Sequence, residues 1–193
     1  EDVQVETSIT RVRPDGSAEF IDLIGNAAEG RNSGLELELT LQATDGLQLF
    51  ASAGLLDTEF RRFVNSSGED LDGEPQAHAP RYQFHAGAEY RFGGGWFARI
   101  ESEGKDRFYY SNSERFVPVR DDVRSRAFEL WHTSIGYEAA RWRVKVWARN
   151  LGDTDYTVRG FYFGNDPRDL YADHGYFQLG EPRRFGVTLV VEN

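Results

Sequence analysis

A strict alternation of apolar and polar residues in one short stretch constrains the fold of this chain more than any other feature. Residues 34–42 read GLELELTLQ. A β-strand points successive side chains to opposite sides, so Glu36 and Glu38 share one face and the leucines share the other. The leucines of this face are Leu35, Leu37, Leu39 and Leu41. They face a protein core in a soluble sandwich, or lipid in a membrane barrel.

The same two-residue period recurs along most of the chain, whereas a helical period is never sustained. We expect eight strands at about residues 2–12, 18–42, 47–62, 80–92, 95–110, 125–138, 141–151 and 178–192. Most of these runs reach the roughly 9 to 11 residues that a tilted strand needs to cross a bilayer. The sequence therefore predicts an all-β fold.

The connections between these strands alternate in length. Short turns are expected at 43–46, 93–95 and 138–140, and long polar loops at 63–79, 111–124 and 152–177. Outer-membrane barrels have this asymmetry, with short turns at one end of the sheet and long loops at the other. The pattern favours antiparallel up-and-down transmembrane strands that form part of a larger β-barrel.

Aromatic residues cluster near the short turns, on or close to the apolar parity of their strands. Rings at the membrane–water interface produce this distribution, because their amphipathic edges prefer headgroup level. We therefore expect Glu36 and Glu38 to face a wet lumen. The residues expected to face lipid or to form the girdle are Leu35, Leu37, Leu39, Leu41, Tyr90, Phe92, Trp96, Trp142 and Phe185.

The composition excludes several classes of function. The formal net charge is −10 and the basic residues are scattered, which argues against a nucleic-acid partner. There are no cysteines, and the four histidines lack the spacing of a metal site. We expect the acidic loop with Asp70, Asp72 and Glu74 to be solvated. No catalytic constellation emerges, so the sequence predicts neither an enzyme, a cofactor nor a bound metal.

Three blocks of the sequence resemble the TonB-dependent outer-membrane receptors. Residues 24–60 resemble a characteristic hairpin, in which Gly34 precedes the alternating leucines and glutamates. Residues 147–171 resemble the penultimate strand and last large loop, and residues 179–193 resemble the closing strand. The middle of the chain fits by pattern only.

The resemblance implies a barrel of about 22 strands plugged by an N-terminal domain. Residues 1–193 are then the C-terminal part of that barrel, without the plug. The implied function is energy-dependent uptake of a scarce nutrient, such as a ferric siderophore, across the bacterial outer membrane. The implied partners are outer-membrane lipid, the nutrient ligand, the rest of the barrel and the plug. An inner-membrane energy-coupling protein acts only through that plug.

The loop predicted at 152–177 carries the aromatic and cationic residues that such receptors use to contact an anionic chelate. In a simpler interpretation these rings pack within the loop. The ligand-binding candidates are Arg159, Phe161, Tyr162, Phe163, Arg168, Tyr171 and His174.

Two other interpretations of the sequence stay open. The chain forms a complete eight-stranded outer-membrane barrel with a structural or adhesive role, or it forms a soluble β-barrel or sandwich that serves as a binding module. Both explain the alternating strands, but a soluble core gives no reason for aromatics beside the short turns.

Refolding with and without lipid distinguishes the membrane interpretations from the soluble one. We expect β-structure by circular dichroism, and a heat-modifiable gel mobility, only when vesicles or detergent are present, because the leucine face needs an apolar solvent. A monodisperse fold in plain buffer contradicts this expectation.

Overall fold

The computed structural model describes residues 3–27, 29–64, 68–112, 123–164, 166–172 and 174–192. The strands are β1 (Val3–Val12), β2 (Ala18–Ala27), β3 (Glu29–Gln42), β4 (Leu47–Arg61), β5 (Tyr82–Arg91), β6 (Trp96–Lys105), β7 (Phe128–Glu138), β8 (Trp142–Arg149), β9 (Thr157–Phe163), β10 (His174–Leu179) and β11 (Arg184–Val191). Short 3-10 turns occupy Gly93–Gly95 and Pro167–Asp169. Among these described residues, no helix is long and apolar enough to cross a membrane.

Seven of the strands form one antiparallel sheet. Their order is β11-β8-β7-β6-β5-β4-β3, and β1–β2 and β9–β10 are separate two-stranded hairpins. Within the sheet every strand from β3 to β8 pairs with its neighbour in sequence. The prediction of an all-β, antiparallel, up-and-down fold is confirmed.

The described part of the chain has eleven strands, three more than the sequence predicted. Two of the predicted strands, at 18–42 and 178–192, are each divided. The second division falls at residues 180–183, where Pro182 has no backbone N–H to donate to a ladder. The segment predicted as a loop at 152–177 also contains β9 and the start of β10.

The three predicted short turns all lie at one end of the sheet. The backbone closes them with hydrogen bonds of 2.8 Å from Ala43 N to Leu47 O, 2.8 Å from Phe92 N to Trp96 O and 2.9 Å from Ala139 N to Trp142 O. In the second turn Gly94 and Gly95 have φ of 77° and 91°, which glycine adopts without strain. We call the end of the sheet that carries these turns the turn end, and the opposite end of the strands the loop end.

One side of the sheet is apolar and exposed, and we call it the apolar face. Cross-strand register places Leu39 opposite Ala51, and Ala51 opposite Ala86. The exposed fraction is 65% for Leu35 and 69% for Phe185. Apolar residues that follow one another across neighbouring strands form a continuous patch, which soluble monomers rarely expose.

Aromatic rings border the apolar face at the turn end. Tyr90 and Phe92 meet edge to face at 4.8 Å, Trp96 and Tyr137 lie 5.3 Å apart, and Tyr137 and Trp142 lie 5.4 Å apart. Each of these contacts joins rings that flank a short turn. The predicted girdle residues thus form contacting pairs, and their position in lipid stays a prediction.

The buried apolar residues of the described chain lie mainly toward the loop end. They are Phe60, Leu71, Phe97, Phe108, Tyr110, Leu130 and Ala148. Phe60 and Leu71 form a small cluster with Phe63 where the segment after β4 folds back on its own strand. The middle of the sheet has no sandwich-like core on its apolar face, because the side chains there are solvent-exposed.

A charge on the apolar face is expected to destabilise the barrel. Leu39 is 52% exposed in mid-strand, so Leu39→Arg should cost about 2 to 4 kcal/mol of unfolding free energy in lipid. Glu38→Arg is the control. Glu38 is the sequence neighbour of Leu39 but already places a charge on the polar side of the sheet, so this position should tolerate the change. Denaturant titration of the refolded protein in vesicles measures both, and equal effects would contradict the assignment of faces.

Candidate functional site

The side of the sheet opposite the apolar face is polar, and we call it the inner face. It presents a dense set of charged and amphipathic side chains from six neighbouring strands. These include Glu36, Glu38, Ser52, Gln83, His85, Glu89, Arg99, Glu101, Glu103, His132, Arg143, Lys145 and Arg149. The alternation that exposes the leucines places these groups together.

Ion pairs link the central strands of the inner face toward the turn end. Arg99 contacts Glu101 at 2.6 Å and Glu89 at 3.8 Å. Arg91 contacts Glu89 at 3.1 Å and reaches Glu138 on β7 at 3.2 Å. The four contacts connect β5, β6 and β7, so this part of the wall carries its charges in compensated form.

Two histidines on the inner face each contact a glutamate of β6. His85 Nε2 lies 3.1 Å from Glu101 Oε2, and His132 Nε2 lies 3.3 Å from Glu103 Oε1. No group of three or more histidine or carboxylate side chains within the described ranges has the geometry to hold a metal ion. The two histidines are therefore described as hydrogen-bonded residues of the sheet rather than as metal ligands.

Three aromatic rings on the inner face lie over glycines of the adjacent strand. Register pairs Phe50 with Gly87, Phe97 with Gly136, and Trp147 with Gly186. A Cβ atom at any of the three glycines would collide with the ring opposite. We call each of these contacts between a ring and a glycine on adjacent strands a seam. Each seam therefore depends on a residue without a side chain.

Arginines lie against the same three rings. The guanidinium carbons of Arg99, Arg143 and Arg149 lie 4.2 Å, 4.5 Å and 5.5 Å from the ring centroids of Phe50, Phe97 and Trp147. Each such contact contributes about 0.5 to 1 kcal/mol at an exposed site. The arrangement repeats across three seams of the wall.

A cleft opens on the inner face toward the loop end. Its volume is about 680 Å³, and Glu36, Glu38, His85, Glu103 and Lys105 contribute polar groups to its lining. Tyr156 and Val158, from the chain after β8, close one side of the cleft. The Tyr156 ring contacts Phe128 with 4.4 Å between centroids. The cleft can accept a polar ligand or chain segment, with carboxylates predominating on the β3 side.

Asn150 fixes how the chain leaves β8. It is 2% exposed and has φ of 47°, a conformation that asparagine tolerates better than most residues. Its Nδ2 donates to Thr154 O at 2.9 Å and to Glu181 O at 3.0 Å, and its Oδ1 accepts from Thr154 N at 2.9 Å. These bonds tie the end of β8 to the segment that leads into β11.

Further contacts strengthen this junction. The Arg183 N–H donates to Asp153 Oδ1 at 2.9 Å, and the Glu181 N–H donates to Tyr156 Oη at 3.2 Å. Asn150 N also donates to His132 Nδ1 at 3.1 Å. The junction thus holds both ends of the insertion that contains β9 and β10.

The predicted ligand-binding residues separate into groups on this insertion. Arg159 and Phe161 share one side of the β9–β10 hairpin, and register places His174 in line with them. The Phe161 and Tyr176 rings stack with 5.5 Å between centroids, and Phe161 is 46% exposed. Phe163 pairs with His174 through the backbone. This side offers one cation beside exposed aromatic surface.

Tyr162 lies on the other side of the hairpin and packs within the protein. Its ring lies 5.9 Å from Phe177, which in turn lies 5.7 Å from the buried Tyr110. Gly160 adjoins the Tyr110 ring, where a Cβ would be closer than van der Waals contact. The simpler interpretation, in which rings pack on their neighbours, therefore describes this side.

Arg168, Tyr171 and His174 surround the tip of the hairpin. Asp166 receives hydrogen bonds from the Arg168 side chain, which lower the pKa of the Asp166 carboxyl. Tyr171 has φ of 60°, and His174 Nε2 contacts Asp169 Oδ2. Arg168 is thus already paired, whereas Arg159 forms no ion pair with a carboxylate within the described ranges.

The sequence did not predict a cluster of one aromatic and two basic side chains at the loop end. His78 lies 5.5 Å from Phe108, and Lys105 Nζ lies 4.8 Å from the same ring. Desolvation lowers the pKa of His78, and the positive charges of Arg159 and Lys105 lower it further. His78 lies on the connection after β4, whereas Lys105 ends β6 and Phe108 follows it, so only the fold brings His78 to the other two.

A seven-stranded antiparallel sheet that is apolar and exposed on one side and charged on the other has the character of a transmembrane β-barrel wall. The sequence model of the family described as TonB dependent receptor-like, beta-barrel matches residues 1–151. The chain belongs to this family, and the resemblance inferred from its sequence is confirmed. Receptors of this family are transporters rather than enzymes, in agreement with the non-enzymatic prediction.

Solved structures of receptors share this fold at low sequence identity. The ferric yersiniabactin uptake receptor FyuA from Yersinia pestis has a TM-score of 0.67 and 18% identity, over 88% of this chain and 24% of its own. The ferric citrate transporter FecA in its unliganded form has a TM-score of 0.64 and 17% identity, over 87% and 24%.

The copper transporter OprC has a TM-score of 0.60 and 14% identity, over 98% of this chain and 26% of its own. This chain therefore spans about a quarter of the length of the structures it matches. Their ligands differ, so the shared fold identifies the wall rather than the cargo.

Removal of the Asn150 amide is expected to loosen the junction. Asn150→Ala loses three buried hydrogen bonds and should lower the unfolding free energy by about 3 kcal/mol. Asn32→Ala, which removes one exposed contact with Gln76, should cost less than about 1 kcal/mol. Denaturant titration in vesicles compares the two, and a similar small loss for both would contradict this role.

Proposed function

We propose that this chain is the C-terminal part of the barrel of an outer-membrane receptor that takes up a scarce nutrient by an energy-dependent route. The observation that carries the proposal is the opposition of the two faces of the sheet. Exposed leucines suit contact with lipid, and the ion-paired inner face suits a water-filled lumen.

The remaining strands of the barrel are proposed to pair with the edges of the sheet. In the described sheet, β3 and β11 are the outermost strands. An unpaired edge in lipid leaves backbone N–H and C=O groups without partners, which costs several kcal/mol per group. Strands from the rest of the receptor satisfy both edges and close the barrel.

A plug domain from another part of the receptor is proposed to lie against the inner face. The energy-coupling protein of the inner membrane then acts on the plug rather than on this chain. Charged groups and a cleft of about 680 Å³ give the inner face the chemistry to contact a polar, movable domain. An outer-membrane location follows from the same proposal.

The ligand is proposed to be a ferric siderophore or a similar anionic chelate. Support comes from the hairpin side that presents Arg159, exposed Phe161 and the Phe161–Tyr176 stack. A guanidinium beside aromatic faces suits a flat ligand that carries negative charge. FyuA takes up ferric yersiniabactin and FecA transports ferric citrate, which agrees with this choice, whereas OprC transports copper.

Uptake assays with variants of the intact receptor test the proposal. Cells that have this receptor as their sole uptake route are supplied with hydroxamate, catecholate and citrate chelates of radioactive iron. For the chelate that is transported, Arg159→Gln and Phe161→Ala should each raise the half-saturating concentration by about tenfold, because a charge-assisted or stacking contact is lost. Arg13→Gln, in an exposed turn, is the matched control.

Two results would contradict the proposal. Failure to transport any chelate, with the receptor correctly assembled in the outer membrane, excludes iron-chelate uptake. Equal half-saturating concentrations for Arg159→Gln, Phe161→Ala and Arg13→Gln exclude the hairpin side as the ligand contact.

A further inference from the structure

A small cavity at the loop end, distinct from the inner-face cleft, is lined by three arginines. Its volume is about 180 Å³. The arginines are Arg81 directly before β5, Arg107 just after β6 and Arg124 shortly before β7. Two separate connections, β4–β5 and β6–β7, thus contribute arginines to one cavity.

Within the described ranges, none of the three arginines forms an ion pair. All three are exposed, and the ion pairs of the described chain involve other arginines, such as Arg62, Arg91 and Arg99. Glu74 and Asp106 also line the cavity. Asp106 Oδ1 accepts from the Arg107 backbone N–H at 2.8 Å, so that carboxylate already serves the loop. The charged groups of the lining sum to one net positive charge.

Aromatic residues give the cavity a firm side. The Arg124 guanidinium lies 5.1 Å from the Tyr109 ring, and the two residues form an isolated antiparallel bridge. Phe108 is 3% exposed and lies behind the cavity with Tyr109. A guanidinium held on a ring loses less conformational freedom when it binds an anion.

The surroundings add positive charge. Lys105 Nζ lies over the Phe108 ring, and the His78 ring lies on the same residue. The lowered pKa of His78, caused first by desolvation and then by Arg159 and Lys105, is consistent with a positive local potential. Lys105 thus adds a fourth cation to the neighbourhood of the cavity, beyond the three arginines.

The cavity lies beside the start of β5, at the loop end of the sheet. Tyr82 begins the apolar parity of β5 and is 40% exposed, and Arg81 comes directly before it. Asp106 N donates to Tyr82 O at 3.0 Å, so the backbone joins the cavity lining to the residue that begins β5. In a barrel this level corresponds to the lipid headgroups.

We propose that Arg81, Arg107 and Arg124 form a binding pocket for a phosphate group. Arginine forks bind phosphate oxygens in pairs, and three of them around one space match a tetrahedral oxyanion. One water occupies about 30 Å³ in the liquid, so a cavity of about 180 Å³ has room for the anion and part of its hydration. The phosphate belongs to an outer-leaflet lipid headgroup or to a soluble phosphate compound.

Calorimetric titration of the purified receptor in detergent with inorganic phosphate tests the pocket. Arg81→Gln, Arg107→Gln and Arg124→Gln should each weaken binding about tenfold, because each removes charge-assisted hydrogen bonds. Arg126→Gln is the matched control, since Arg126 is exposed on the same segment as Arg124 and does not line the cavity. Heat-modifiable gel mobility verifies that each variant is folded.

Native mass spectrometry identifies the source of the phosphate. The receptor is offered phosphatidic acid, or phosphatidylcholine as the comparison, in mixed micelles. Preferential retention of phosphatidic acid by the wild type, but not by the triple glutamine variant, supports a lipid headgroup. Phosphate binding without such retention supports a soluble compound. Absence of phosphate binding to the wild type, or equal affinities of the Arg126→Gln control and the cavity variants, overturns the proposal.

Discussion

The structure depends on the need to satisfy backbone hydrogen bonds from strand to strand. Where lipid replaces water, an N–H or C=O group has no solvent partner, so each strand relies on the ladders beside it. Those ladders set the register, and the register assigns every side chain to one of two faces. In this sheet the pairing of Leu39 with Ala51, and of Glu38 with Ser52, separates lipid chemistry from aqueous chemistry at every step along the strands.

The regular wall supports irregular features at its loop end. Asn150 anchors the insertion between β8 and β11, and that anchor sets where the β9–β10 hairpin begins and ends. The loops after β4 and β6 meet at His78 and Phe108, which no single hairpin could bring together. Rigid strands with divergent loops allow related barrels to carry different ligands, as ferric yersiniabactin uptake by FyuA and copper transport by OprC illustrate.

The sequence predicts the wall well because its signal is local. The alternation around Leu37 and the turn at Gly94 depend on neighbours a few residues away, and both agree with the structure. The sequence fails where tertiary context decides, as in Thr157–Phe163, whose short aromatic run was assigned to a loop. Arg81 and Arg124 are separated by more than forty positions, and periodicity carries no information about their meeting in one cavity.

The ring-over-glycine seams recur with a spacing of two strands. On the inner face they join β4 to β5, β6 to β7 and β8 to β11, and on the apolar face a further ring, Phe84 of β5, lies over Gly104 of β6. The repeating unit of the inner face is therefore a pair of adjacent strands, of which one carries the aromatic ring and the other carries the glycine beneath it. A barrel built from such units can gain or lose strands in pairs during evolution without separating a ring from its glycine on the inner face, which provides a packing reason for even strand numbers.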